Sequence, residues 1–187
     1  QPRKVLILTY YWPPAGGAGV QRWLKFVKYI SKLGYEPHIY TPENPEAPAY
    51  DDSLFSDVPE NAIIIKKPIW EPFKLFKKFT NKKGNFNAGF LTEEKKVKGK
   101  WSERISLFVR ANLFIPDAKM FWIRPSRRFL KTYIKEHNIG LVISSGPPHS
   151  LHLIALKLRA ELDIKWVADF RDPWTNIDFY KTLPTLK

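Results

Sequence analysis

Short apolar runs alternate with amphipathic segments along most of the 187-residue chain. Each run is rich in β-branched residues and bounded by turn residues, which predicts strands that are buried on both faces. The predicted strands cover residues 4–9, 37–40, 62–66, 141–144 and 165–170. Because helical segments separate these strands, the pattern predicts an α/β fold with a Rossmann-like, doubly wound parallel sheet.

Apolar residues recur at helical spacing between the strands. The first such segment starts at Val20 and stops at Gly34, since glycine is a common helix terminator. Phe129 and Ile134 mark a second helix, and another is expected over residues 102–113. A last helix follows two prolines and has an apolar face made of Leu151, Ile154, Ala155, Leu158 and Leu162. Residues 41–61 are rich in Pro, Asp and Glu, which predicts an irregular loop.

The composition favours one compact core. Apolar residues make up 44% of the chain, which is enough for a single domain over residues 1–187. Cysteine is absent, so disulfides and thiolate metal sites are excluded, and a cytoplasmic location is expected. No apolar run approaches the roughly 20 residues that cross a bilayer. A signal peptide is not expected either.

The net charge of +13 predicts a polyanionic partner or surface. Residues 66–104 contain twelve Lys or Arg and four acids, so they carry +8 of this charge. We interpret residues 67–100 as a basic, aromatic insertion, in which Trp70 and Phe73 interleave with Lys74, Lys77 and Lys78.

This basic insertion has three interpretations. Its aromatic residues could enter an anionic membrane surface while the lysines meet phosphates, which would place the protein at the inner face of the membrane. Alternatively, the aromatics pack on the sheet and the lysines form a solvated face. Nucleic acid is a disfavoured partner, because no recognised binding module accompanies the charge.

Ligands of doubly wound sheets bind beyond the carboxyl ends of the strands, where loops lead into helix N-termini. The loop at 10–19 contains Gly16, Gly17 and Gly19, which allow the backbone to approach an anionic or hydroxylated ligand. This loop is neither a dinucleotide fingerprint nor a P-loop. The alternative interpretation is a tight turn before a helix.

Two further loops carry candidate side chains. His149 and Ser150 follow the strand at 141–144, although an isolated histidine is more often a capping or surface residue than a catalytic one. Asp169 stands at the end of the last strand, and Arg171 and Asp172 come just past it, where these side chains could bind a ligand or form an internal salt bridge.

Three motifs together resemble the N-terminal domain of family 4 glycosyltransferases. They are Tyr-Tyr-Trp-Pro-Pro-Ala-Gly-Gly-Ala-Gly at 10–19, Ser-Gly-Pro-Pro-His-Ser at 145–150 and Trp-Val-Ala-Asp-Phe-Arg-Asp-Pro-Trp at 166–174. The resemblance spans nearly the whole chain apart from the basic insertion.

The resemblance implies one half of a GT-B architecture, in which two Rossmann-like domains face each other across a cleft. It implies sugar transfer with retention from a nucleotide-sugar co-substrate to a glycan or lipid-linked acceptor, with no metal or other cofactor. Gly16 and Gly17 would lie near the donor diphosphate, and His149 would face the donor sugar as the candidate catalytic residue. Arg171 and Asp172 would shape the acceptor side.

The chain departs from the family at the donor site. Family members carry two glutamates eight positions apart in their second domain, and no such pair occurs here. We therefore expect that the C-terminal donor-binding domain is absent and that these 187 residues alone are inactive, because one wall cannot exclude water from a cleft.

A second hypothesis from a different class remains open: a non-catalytic basic module that binds a phosphorylated ligand or an anionic membrane. A dinucleotide-dependent oxidoreductase or epimerase is disfavoured, because Tyr40 and Thr41 stand at the end of the second strand where a ribose-binding acid is expected.

Overall fold

A computed structural model describes residues 2–43, 45–47, 49–70, 112 and 114–173. Its strands are β1 (Arg3–Leu8), β2 (Tyr35–Pro42), β3 (Ile63–Lys67), β4 (Leu141–Gly146) and β5 (Lys165–Phe170). Its helices are α1 (Ala18–Lys32), α2 (Ile123–Glu136) and α3 (Ser150–Glu161). The strands form one sheet in the order β3-β2-β1-β4-β5, and every pair is parallel. The predicted α/β class and Rossmann-like, doubly wound sheet are confirmed.

The central strand β1 is buried on both faces, as its continuous apolar run predicted. Val5 and Ile7 pack in the core cluster under α1, whereas Leu6 and Leu8 pack in the cluster under α2 and α3. All four side chains have no exposed surface. Burial of each such side chain contributes roughly 1.5–3 kcal/mol relative to exposure, so β1 is the strand on which both layers depend.

Helix α1 follows β1 and covers one face of the sheet. Val20, Trp23, Leu24 and Val27 form its buried stripe, at the spacing that predicted the helix. The chain leaves α1 through Gly34, whose φ is +81°, a conformation that side chains with a Cβ rarely adopt. Gly34 therefore ends the helix as its sequence position indicated.

Helix α3 packs on the other face together with α2. Leu151, Ile154, Ala155 and Leu158 are fully buried, and Leu162 is partly buried against the same cluster. The predicted apolar face is thus confirmed. Strand β5 has the predicted bounds, while β2 extends beyond its prediction at both ends.

The prediction of a wholly irregular segment over residues 41–61 is wrong. A 3-10 helix spans Asp52–Asp57 within this segment. Another 3-10 helix, Met120–Trp122, lies directly before α2. The Asp51 carboxylate accepts hydrogen bonds from the Ser53 N–H at 3.0 Å and hydroxyl at 2.6 Å, which caps the first of these turns. The predicted helix over 102–113, apart from residue 112, and most of the basic insertion lie outside the described residues.

Candidate functional site

The carboxyl ends of β1, β4 and β5 lie side by side at one edge of the sheet. The chain winds from β1 to β2 and β3 on one side and continues through β4 to β5 on the other, so a topological switch lies between β1 and β4. Crevices at such switch points hold the ligands of doubly wound sheets. The three loops singled out in the sequence all start at this edge.

The glycine-rich loop after β1 needs glycine at one of its positions for backbone reasons. Gly17 precedes α1 with φ of +105°, where a Cβ would be strained. Gly16 donates its N–H to the Ala49 carbonyl at 2.8 Å, and a Cβ at Gly16 would approach that oxygen only to an ordinary 3.5 Å. The loop is therefore fixed against the segment after β2, and Gly16 is not required by crowding.

The start of α1 is electropositive. No acidic residue lies in its first turn, and Gly17 offers no capping side chain, so nothing within that turn offsets the positive end of the helix dipole. The Arg171 guanidinium lies directly over Gly19, where its Nη1 occupies the place of a Cβ. Asp172 approaches the same guanidinium at 3.6 Å. Gly19 and Arg171 are thus brought together, and they form a niche suited to an anion.

Asp169, the first carboxylate of the third loop, is engaged within the protein. It accepts two hydrogen bonds from Arg22 on α1, at 3.0 and 2.9 Å. It also accepts one from the Ser145 hydroxyl at 2.8 Å. Asp169 therefore joins β5 to β4 and to the helix that follows the glycine-rich loop.

Ser150 lies at the N-terminus of α3, where a carboxylate of the chain itself occupies the anion position. Asp117 accepts the Ser150 N–H at 2.8 Å and the Ser150 hydroxyl at 2.6 Å. It accepts the Lys119 N–H as well, at 2.8 Å. Ser150 has no exposed surface, so its visible role is structural, and its contact with a ligand stays a prediction.

His149 is packed into the loop rather than projecting from it. Its side chain is 9% exposed, and its ring stacks with that of Phe170 at 6.0 Å between centroids. Burial lowers the pKa of His149, while the carboxylates of Asp117 and Asp172 oppose that shift. The imidazole is therefore neutral at pH 7, and such a group can exchange a proton or hydrogen-bond a hydroxyl.

His152, one helical turn beyond His149, is a buried histidine that sequence reasoning missed. Its Nδ1 lies 2.8 Å from the Ser144 hydroxyl, which in turn accepts the Trp166 indole N–H at 2.9 Å. Its Nε2 is buried without a hydrogen-bond partner among the described residues. The pKa of His152 is lowered to about 4, mainly by burial and to a smaller extent by the neighbouring charge of His149. His152 thus lies beneath His149 as a neutral imidazole.

Arg22 and Asp117 were also missed. Arg22 lies 147 positions from its partner Asp169, and Asp117 lies 33 positions before Ser150. No local pattern signals either pairing. For His152, in contrast, the sequence did contain a signal. The His-x-x-His spacing of His149 and His152 places both rings on one side of a helix.

The described residues contain no group of three or more His, Asp or Glu that could hold a metal ion. No helix in the described ranges is long and apolar enough to cross a membrane. Of the predicted membrane contacts, Trp70 is 58% exposed and packs edge-on against Phe121 at 4.8 Å. The other four lie outside the described residues; they are Phe73, Lys74, Lys77 and Lys78.

Comparison with known proteins gives similarity in structure only. No protein-family model matches the chain, and no curated protein matches it. A glycosyltransferase from Rickettsia africae ESF-5 is similar at 12% identity and a TM-score of 0.48, over 97% of this chain and 33% of its own. UGT2 of Phytolacca americana, solved with UDP-2-fluoroglucose and pterostilbene, is similar at 11% identity and a TM-score of 0.48. This similarity covers 90% of this chain and 30% of the UGT2 chain.

The C-terminal domain of a hydrogenase from Pyrococcus furiosus is similar at 12% identity and a TM-score of 0.44, over 90% of this chain and 91% of its own. This chain spans about a third of the length of the two glycosyltransferases that it matches. At these identities and TM-scores, the likeness carries no argument about function.

Proposed function

We propose that the chain forms the acceptor-side wall of a nucleotide-sugar-dependent glycosyltransferase. The reaction breaks the bond between the sugar C1 and the donor diphosphate. It forms a bond from C1 to an acceptor hydroxyl on the same face of the sugar and releases the hydroxyl proton. The acceptor is a glycan or a lipid-linked sugar used in surface polysaccharide or glycolipid synthesis, and the protein works in the cytoplasm at the inner face of the membrane.

The observation that carries the proposal is the position of Arg171 over Gly19 at the start of α1. The guanidinium and the positive end of the helix dipole together favour an anion, and the Asp172 carboxylate at 3.6 Å from Arg171 offsets this positive charge in part. A donor diphosphate is such an anion, and its negative charge rises as the bond to the sugar breaks. The niche would therefore stabilise the leaving diphosphate.

His149 lies at the next strand end and would contact a hydroxyl of the donor sugar. Its lowered pKa supports this role, because a neutral imidazole both donates and accepts hydrogen bonds. Asp169 would act indirectly. It holds Arg22 and Ser145, and so fixes α1 relative to the loop that carries Arg171.

The proposed activity needs a second wall. Donor binding and exclusion of water both require residues that face this edge of the sheet across a cleft. We therefore expect weak diphosphate binding by the 187 residues and transfer only by a longer protein that includes them.

The test compares binding and turnover. Isothermal titration calorimetry with pyrophosphate and UDP on the 187-residue chain should give weak binding, and Arg171→Gln should lower it about tenfold. The control is Arg159→Gln, which removes an exposed charge on α3 and should leave binding unchanged. A longer protein containing these residues should transfer sugar from one of a panel of UDP-, GDP- and ADP-sugars.

Loss of that transfer in His149→Ala would support the proposed role of His149. If pyrophosphate binds but no sugar is transferred by any longer form, the non-catalytic binding module becomes the better account. If Arg171→Gln leaves binding unchanged, the niche over Gly19 is not the anion site.

A further inference from the structure

A cavity of about 230 Å³ opens at the carboxyl ends of β2 and β3, beside the start of α2. It is lined by Tyr40, Lys67, Pro68, Trp122, Pro125 and Phe129. The cavity shares its edge of the sheet with the three loops, and the Tyr10 ring joins the two regions by packing edge-on against Trp122 at 6.2 Å. A cavity of about 320 Å³ near Asn138 and Asp163 lies at the opposite edge, away from these loops.

The aromatic walls of the first cavity are held in place by their own polar groups. The Trp122 indole donates to the Tyr40 hydroxyl at 3.1 Å, and that hydroxyl shares a 2.8 Å hydrogen bond with Ser126. The Tyr40 ring stacks on Trp122 at 5.5 Å and on Phe129 at 6.2 Å. These hydroxyl and indole groups are therefore satisfied internally. Tyr40 and Trp122 are each 1% exposed, so the apolar surface open to a ligand belongs to the half-buried Phe129 and to Pro68 and Pro125.

Lys67 gives the cavity a positive charge. Its ammonium lies 4.2 Å from the centre of the ring of Phe129, which also lines the cavity. None of the described lining residues is acidic. Glu43, which follows β2, donates its backbone N–H to the Lys67 carbonyl at 3.0 Å. Arg124 and Arg128 are exposed on the same helix as the lining residues Pro125 and Phe129, so this part of the surface carries further positive charge.

The rim of the cavity is apolar and exposed. Trp70, two residues after Pro68, is 58% exposed, and its partner Phe121 is 38% exposed. This pair of rings therefore adds exposed apolar surface next to the lining residues Pro68 and Trp122. A ligand that extends from Lys67 across this rim would bury both rings.

We propose that this cavity binds a phosphate ester that carries an apolar group. The phosphate lies at the Lys67 ammonium, and the attached group lies on Phe129, Pro125 and the rim. A water molecule takes about 30 Å³ of liquid volume, so the cavity has room for a phosphate and a few carbon atoms. In the proposed function this ligand is the phosphate-bearing part of the acceptor, and the assignment of the ligand as acceptor rests on that function.

The test is isothermal titration calorimetry on the 187-residue chain with three probes. These are inorganic phosphate, glucose 1-phosphate, and dihexanoyl phosphatidic acid below its micelle concentration. We expect dihexanoyl phosphatidic acid to bind most tightly. Lys67→Gln should weaken its binding about tenfold, since a hydrogen bond to a charged group is lost.

The matched control is Lys66→Gln. Lys66 is exposed on the opposite face of β3 and has the same charge, so its replacement should leave binding within about twofold. Phe129→Leu keeps most of the apolar volume and should weaken the lipid probe but not inorganic phosphate. Equal binding of all three probes would point to a free-phosphate site and overturn the apolar part of the proposal.

If Lys66→Gln and Lys67→Gln weaken lipid binding equally, the effect comes from overall charge and the proposal is overturned. Absence of binding by all three probes would overturn it as well. Arg171→Gln separates this proposal from the transferase function. Lipid binding that survives Arg171→Gln while pyrophosphate binding is lost supports two sites. Absence of sugar transfer would leave the lipid result standing.

Discussion

Asp169 at the end of β5 holds Arg22 of α1 in a bidentate ion pair, with N–O distances of 3.0 and 2.9 Å. The carboxylate is 17% exposed and also accepts the Ser145 hydroxyl at 2.8 Å. Two neighbouring strands and a helix therefore meet at one carboxylate beneath the candidate cleft. Its position determines how α1 sits relative to the loop of Arg171.

Replacement of Asp169 by Ala should destabilise the protein by about 1–3 kcal/mol, because it leaves Arg22 and Ser145 without their shared acceptor. Urea denaturation measures the change. The control is Asp172→Ala in the same loop. Asp172 forms a 3.6 Å ion pair with Arg171 and is 42% exposed, so its loss should cost less than about 0.5 kcal/mol. Equal losses in the two variants would contradict a special role for Asp169.

The sheet could be predicted because its determinants are local. Strand β5 was predicted with its observed bounds, since Lys165–Phe170 is a short run with turn residues on both sides. The end of α1 was likewise predicted from one residue, Gly34, which follows the helix with a positive φ. A doubly wound order then follows from the alternation of strands and helices.

The contacts inside the site could not be predicted, because they join distant segments. Asp117 lies 33 positions before Ser150, so no spacing rule connects it with α3. The burial of His149 was also not readable, since it depends on the Phe170 ring from another strand. Sequence reasoning located the loops, whereas packing decides which of their side chains face solvent.

Gly146 leaves room for two histidine rings, His149 just before α3 and His152 within it. A Cβ at this position would lie 2.7 Å from His152 Nε2 and 2.9 Å from His149 Nδ1, closer than real side chains approach. Because both rings are buried, Gly146→Ala should cost about 1–3 kcal/mol through overpacking. Thermal or urea unfolding reports this loss.

Gly140→Ala is the matched control for Gly146→Ala. Gly140 precedes the same strand, and no atom lies within 4 Å of its Cβ position. The substitution should be neutral or should stabilise the protein by about 0.4–1 kcal/mol, because alanine restricts the unfolded chain. Similar destabilisation by both substitutions would show that strand context, rather than the histidine rings, sets the cost.

Gly19→Ala separates stability from anion binding. The new Cβ would take the place of Arg171 Nη1, so the guanidinium must move away from the start of α1. Alanine is the better helix former by about 1 kcal/mol, so stability should be unchanged or higher. Pyrophosphate binding should nevertheless weaken, by up to about tenfold, as in Arg171→Gln. Unaltered binding with a shifted guanidinium would argue against the niche as the diphosphate site.

The buried imidazole of His152 should make stability depend on pH. Burial lowers its pKa in the folded protein to about 4, below the usual value of 6.5. Between these values the unfolded chain binds more protons, so stability rises with pH across this window and is lost as the pH falls from about 6.5 towards 4. The loss from this one group should be roughly 1–2 kcal/mol between pH 6.5 and pH 5.

His152→Asn tests this dependence, because an asparagine amide can keep the hydrogen bond to Ser144 without a titrating ring. The variant changes packing, so the slope of unfolding free energy against pH is the readout rather than its absolute value. We expect a shallower slope between pH 4 and 6.5 and almost no difference in slope above about pH 8, where the imidazole is neutral in both the folded and the unfolded chain. His38 and His149 also have a lowered pKa, so part of the slope should remain. An unchanged slope in His152→Asn would mean that His152 gains its proton at the same pH in the folded and unfolded chain, which its 4% exposure argues against.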